Sequence, residues 1–119
     1  MATTKAYTDL NQSEKLAEFL PIESADMYWD YDYSIYTGEY KYYPMVMDDR
    51  FDDVCIPCWS LAALLSVLQK NGYSITYVVD YRIMESNNNG KESPIEIVAD
   101  NPIDACYKLI LKIRGLNLL

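Results

Sequence analysis

No histidine occurs among the 119 residues. That absence removes the commonest general base, the commonest pH switch and the commonest metal ligand. Ser–His, Cys–His and His-Glu-x-x-His chemistries are therefore excluded. Basic residues are scarce too: ten Lys and Arg stand against eighteen Asp and Glu, a formal net charge of −8. No Lys/Arg cluster exists, so the chain lacks the basic footprint that direct binding to a nucleic-acid phosphate backbone requires. Long apolar runs are also missing. The longest, Leu61 to Leu65, is far too short to span a bilayer, which argues against a membrane protein. The opening "MATTKAYTDLNQSEK" has no apolar signal-peptide core, so a cytoplasmic location is expected. The three cysteines are then expected to be reduced thiols.

The same scarcities bear on metals and cofactors. A structural zinc site needs four ligands, and three cysteines without histidine leave it short. The acidic "DDRFDD" offers oxygens that suit calcium, but lacks the spacing and distal glutamate of an EF-hand loop. It reads as a solvated acidic turn. Nothing in the sequence calls for a metal or a cofactor.

What is present describes a folded protein. Half the residues are hydrophobic, and the length suits one domain spanning 1–119. "TDLNQSEKLAEFLP" reads as a short helix. Asp9 caps it, Gln12 reciprocates three residues on, and Pro21 ends it. Leu16, Ala17 and Leu20 are expected on its buried face.

The next segment, "MYWDYDYSIYTGEYKYYPMVM", is the aromatic centre of the chain. Trp29, Tyr31, Tyr33 and Ile35 alternate with Asp30, Asp32 and Ser34, Thr37-Gly38 supplies a turn, and "EYKYYPMVM" returns. This reads as a β-hairpin, with Pro44 either placing its second strand at an edge or breaking it.

Pro57 then reads as the first residue of a helix running to an Asn71-Gly72 stop. That helix is apolar on nearly every side, so coverage on more than one face is expected. "YSITYVVDYRIME" reads as one strand, with Tyr73, Ile75, Tyr77, Val79, Tyr81 and Ile83 on one face. "NNNG" is a turn signal, and "PIEIVAD" a partner strand. A final helix starts with Asn101 as cap, Pro102 in its first turn and Asp104 near its positive end. Its buried stripe is Ile103, Cys106, Tyr107, Ile110 and Ile113. The order α-β-β-α-β-β-α predicts an α+β layered domain with a largely antiparallel sheet of about four strands and about three helices.

"PCWSLAALLSVL", followed by a hairpin and "ADNPIDACYKLILKI", resembles small uncharacterised proteins of gut-bacterial genomes, prophages and other mobile elements. These pair a "P-x-W/Y-S/T-L-x-x-L-L" helix with a later "A-D-x-P-x-D-A" helix start. The "ESADMYW" stretch near Ser24 fits them as well. The resemblance covers Pro57 to about Ile113, roughly half the chain. It implies an α/β sandwich of phage-like origin and no established activity. The aromatic hairpin lies outside the pattern.

Three function classes follow. Cys55-Ile56-Pro57-Cys58 resembles the thioredoxin active site, and "SPIEIV" imitates its proline before a strand, so a thiol–disulfide oxidoreductase using Cys55 and Cys58 is one reading. The departures weigh against it: no βαβ unit precedes the motif, and no hairpin follows the proline strand. Asp48, Asp49, Asp52 and Asp53 would raise a nearby thiol pKa, not lower it. Asp30, Asp32 and Glu39 beside tyrosines suggest a glycosidase pair or an aromatic carbohydrate-binding module, but a strand's polar face explains them as well.

The leading expectation is a non-enzymatic accessory protein that binds another protein, or itself, through the tyrosines. Tyr28 to Tyr43 holds seven, more than one face of two strands can bury. The candidate surface is Trp29, Tyr31, Tyr33, Tyr36, Tyr40, Tyr42 and Tyr43.

Overall fold

Each helix begins where its capping chemistry is complete. Asp9 accepts the Gln12 N–H while the Gln12 side chain accepts the Asp9 N–H, a reciprocal capping box that opens α1, Leu10–Ala17. Asn101 caps α3, Pro102–Gly115, by accepting the Asp104 N–H at 2.9 Å. The helix between them, α2, spans Leu61–Lys70. It closes with Gly72 at φ +85°, the Tyr73 N–H on the Leu68 carbonyl and the Gly72 N–H on that of Gln69. This is a Schellman stop, in which the left-handed residue is a glycine because a side chain there would be strained.

The computed structural model describes residues 5–78, 82–86 and 95–116; the side chains of 74–78, 82–86 and 95–96 lie outside the description. Among the described residues a 3-10 turn (Ile22–Ser24) follows α1. Strands β1 (Met27–Ser34), β2 (Glu39–Val46) and β3 (Ile56–Cys58) precede α2. Strands β4 (Ser74–Val78), β5 (Arg82–Ser86) and β6 (Ile95–Val98) lie between α2 and α3. The class is α+β and every strand pairing is antiparallel.

The strands form two sheets of three, ordered β2-β1-β3 and β4-β5-β6, where the sequence predicts one sheet of about four. Two features explain the difference. The run that reads as one strand is two, since Val78 pairs with Arg82; an alternating pattern continues unbroken through a reversal and does not mark it. In addition, Pro57 lies in β3 and starts no helix. Its partner on β1 is Tyr28. The true N-cap of α2 is Ser60, which accepts the Ala63 N–H. Ser60 is itself held by Asp26, whose carboxylate accepts both its N–H, at 2.9 Å, and its hydroxyl. The "NNNG" turn and the face assignment over 75–83 fall outside the described residues or side chains; Tyr73, at the head of that run, is buried.

The core joins the three helices to one another and, among the described side chains, to Trp59, Tyr73 and Ile97 of β6. Leu16, Trp59, Leu64, Leu68, Ile103, Leu109, Ile110 and Ile113 are almost fully buried within it. Trp59 precedes the helix instead of lying within it. It donates from Nε1 to Ser24 Oγ at 3.0 Å, and its backbone pairs with Thr8. On α1, Ala17 is exposed, while Gln12 and Ser13 are buried. Helix α2 is covered on one face only: Ala63, Leu64, Val67 and Leu68 are buried, while Ala62 and Leu65 face solvent. On α3, the stripe also includes Ala105 and Leu109, and Tyr107 is half-buried. No helix among the described residues is long and apolar enough to cross a membrane.

Candidate functional site: an aromatic ribbon

The β1–β2 register pairs Trp29 with Pro44, Tyr31 with Tyr42 and Tyr33 with Tyr40. Directly opposed residues share a face, and alternate residues of a strand share a face. One face of the hairpin is therefore Trp29, Tyr31, Tyr33, Tyr40, Tyr42 and Pro44. The other is Tyr28, Asp30, Asp32, Glu39, Lys41 and Tyr43. Ring contacts follow this division. Tyr33 and Tyr40 lie 4.8 Å apart, Tyr31 and Tyr40 5.4 Å, and Tyr31 and Tyr42 6.3 Å, with interplanar angles between 53° and 61°. The rings tilt against one another rather than stack, as their quadrupoles favour.

Helix α1 covers the inner end of this face. Trp29 donates from Nε1 to Ser13 Oγ at 3.1 Å. Tyr7 meets its ring edge-on at 5.7 Å. Lys5, Ala6, Tyr7, Asp9 and Trp29 line a depression of about 360 Å³ there. Beyond Trp29 no helix among the described residues follows. β3 pairs only with Met27, Tyr28 and Trp29, so the outer part of the hairpin is a two-stranded ribbon. Tyr33 is 51% exposed, Tyr40 53% and Tyr36, in the turn, 94%. Tyr31, Tyr42 and Tyr43 are half-buried.

The 47–55 loop covers the opposite face at its Tyr28 end and leaves Asp32, Glu39 and Lys41 exposed. The fully buried Tyr28 donates from its hydroxyl to Asp48 at 2.6 Å and meets Phe51 edge-on. The Asp48 bond, with burial behind it, pushes the Tyr28 phenol up to about 12. Asp48 is held below the usual carboxylate range by that hydroxyl and by Arg50, which pairs with it at 2.9 Å. Burial raises the phenols of Tyr31 and Tyr43, and Asp52 and Asp30 add to this respectively.

Each edge of the ribbon has one position withdrawn from further strand pairing. Met47 donates its N–H to the Asp26 carbonyl, so even-numbered residues of β1 turn their backbone groups toward β2. Pro44, opposite Trp29, then sits where an N–H would point outward, and proline has none. By the same alternation Tyr31 turns its N–H away from β2, and that N–H is taken by the Asp30 carboxylate at 2.8 Å. These two positions interrupt the edges without closing them.

The two cysteines of the Cys-x-x-Cys stretch are not brought together. β3 is extended, so residues three apart lie on opposite faces of the sheet. Cys58 is fully buried against Thr8, its Sγ 3.4 Å from the Thr8 carbonyl. Cys55 points the other way, its Sγ 3.7 Å from Asp30 Oδ1. All three cysteines are free thiols. Burial raises the Cys55 pKa, with Asp52 and Asp30 adding to it, and raises that of Cys58 despite hydrogen bonds from Thr8 and Ser13. Neither thiol has the helix N-terminus that lowers a nucleophile's pKa. Among the described residues no three His, Cys, Asp or Glu side chains converge as a metal site requires.

Of the seven aromatic residues that the sequence offers as a surface, the fold gathers Trp29, Tyr31, Tyr33, Tyr40 and Tyr42 on one face, puts Tyr43 on the other and Tyr36 in the turn. Tyr7 extends the ringed face without any sign in the sequence; twenty-two residues separate it from Trp29, and no local pattern links them. No protein-family model, curated protein or solved structure matches the chain.

Proposed function

We propose that the chain is a non-enzymatic binding protein whose contact surface for another protein is the ringed face of the β1–β2 ribbon. One observation carries this reading: four tyrosines stand in contact along a single face that no element among the described residues covers beyond Trp29. Tyrosine offers large contact area with little side-chain entropy to lose and a polar tip that tolerates water before binding. Scattered exposed rings need no explanation, whereas a contiguous strip does. The interruptions at Pro44 and Tyr31 support the same reading, because they disfavour strand addition at the edges relative to contact through the face.

A photoreactive side chain placed at Ile35, which is 79% exposed beside the rings, tests it in living cells. A covalent adduct with a second polypeptide is expected. It should be absent from a probe at Lys112 on α3 and should disappear with Tyr33→Thr/Tyr40→Thr. No adduct, or equal adducts from both positions, would overturn the proposal. An adduct between two copies of this chain would replace it with self-association, and sedimentation would then show a concentration-dependent mass.

A further inference from the structure

Resting on that reading of the ribbon, we infer that the partner segment is an extended, arginine-rich stretch of another protein, lying along Tyr31, Tyr33, Tyr40 and Tyr42. The shape of the surface comes first. It is two strands wide and two rings long, with side chains about 7 Å apart along each strand and about 5 Å across. That strip suits one extended segment and is too narrow for a broad globular face.

Charge comes second. Residues 26–54 contain eight acidic residues (Asp26, Asp30, Asp32, Glu39, Asp48, Asp49, Asp52, Asp53) and two basic ones, Lys41 and Arg50. Their net of −6 leaves only −2 for the rest of the chain, from the total of −8. The negative charge is therefore concentrated in this segment: −2 on the ribbon itself, residues 27–46 (Asp30, Asp32 and Glu39 against Lys41), and −4 on the residues that flank it, Asp26 and the 47–54 loop. Asp30 and Asp32 on the back face lie about one ribbon thickness behind the tyrosines, comparable with a Debye length of about 8 Å at physiological salt, and Asp52 of the flanking loop acts on Tyr31. A cation over the rings feels both the ring quadrupoles and this field.

Chemistry then separates the cations. A guanidinium is planar, weakly hydrated and stacks on aromatic faces, whereas an ammonium is a strongly hydrated point charge. The tilted rings leave such faces open. The same contact already occurs within the molecule, where Arg114 lies over the Phe19 ring, 4.3 Å from its centroid. Recognition would rest mainly on side chains, since strand addition is interrupted at Pro44, which has no N–H, and at Tyr31, whose N–H is taken by Asp30.

The test is fluorescence anisotropy with a dye-labelled nonapeptide of alternating arginine and serine, run beside its lysine and citrulline counterparts. The arginine peptide should bind about threefold to tenfold more tightly than the lysine peptide, and the citrulline peptide at least about tenfold more weakly. Tyr33→Thr/Tyr40→Thr should weaken arginine-peptide binding by about tenfold, and Asp30→Asn/Asp32→Asn should flatten its salt dependence. Equal affinity for arginine and lysine, or binding indifferent to the tyrosine substitutions, would reduce the contact to generic charge attraction and overturn the inference. The peptide comparison uses the unaltered protein, so it decides even if a variant misfolds. If the Ile35 probe captures a protein while the arginine peptide fails to bind, the partner class is wrong and the surface reading stands. If both fail, both fall.

Discussion

Replacing Tyr33 and Tyr40 by threonine, singly and together, asks whether the ringed face belongs to the surface or to the core. Threonine keeps strand propensity, so the change reports the rings rather than the backbone. Full burial of a large side chain contributes about 1.5–3 kcal/mol, and each of these rings is only about half removed from water, leaving about 1 kcal/mol apiece. Their mutual contact at 4.8 Å adds about 0.5–1 kcal/mol, the usual range for a cross-strand aromatic pair. The double variant should therefore lose about 2–3 kcal/mol, with a coupling of about 0.5–1 kcal/mol between the sites. Leu64→Ala, at a fully buried position of α2, should cost about 2–5 kcal/mol by itself. Urea unfolding monitored by tryptophan fluorescence measures all four variants, because Trp59 sits in the core. A loss above about 4 kcal/mol in the double variant, or a coupling above about 2 kcal/mol, would show the rings to be structural and refute the surface argument.

Two further outcomes follow from the thiols and from Asp104. Burial pushes Cys106 up to about 12 and raises Cys55 and Cys58 as well. A thiol reagent at pH 8 should leave all three largely unmodified in the folded protein and modify all three in denaturant; rapid native reaction of Cys55 or Cys58 would revive the oxidoreductase reading. Burial alone would raise Asp104, but hydrogen bonds from Lys5 and Gln12, both at 2.8 Å, outweigh it and hold the carboxyl below its ordinary 3.8. A depressed folded value contributes stability above pH 3.8 that is lost as pH falls through the lower folded value. Asp104→Asn should therefore lower the urea midpoint near neutrality and make the acid-side decline shallower, and an unchanged acid limb would contradict the network.

Local chemistry makes much of the fold legible. The Asp9 and Gln12 box, the Asn101 and Pro102 start and the Gly72 stop are short-range patterns whose physics is complete within a few residues, and each forms where expected. Pro57 misleads for a specific reason. A first-turn helix position and an outward-facing edge-strand position both dispense with an N–H, and sequence does not separate them. Ser60 decides the matter, but its strength as a cap depends on Asp26, thirty-four residues upstream. The hairpin is legible from its alternation. Which face of it stays open is not, because that depends on where α1 ends and where the 47–55 loop crosses, both of them tertiary facts.

The place where α1 stops has an evolutionary consequence. Rings beyond Trp29 touch one another and little of the core, so they can be exchanged one at a time at modest cost to folding. If the ringed face is the contact surface, what it recognises can drift while the scaffold stays constant, separating selection for a partner from selection for a fold. Substitutions on the outer ribbon would then record a history of changing targets, whereas those around Trp59 would record only the demand that the chain fold.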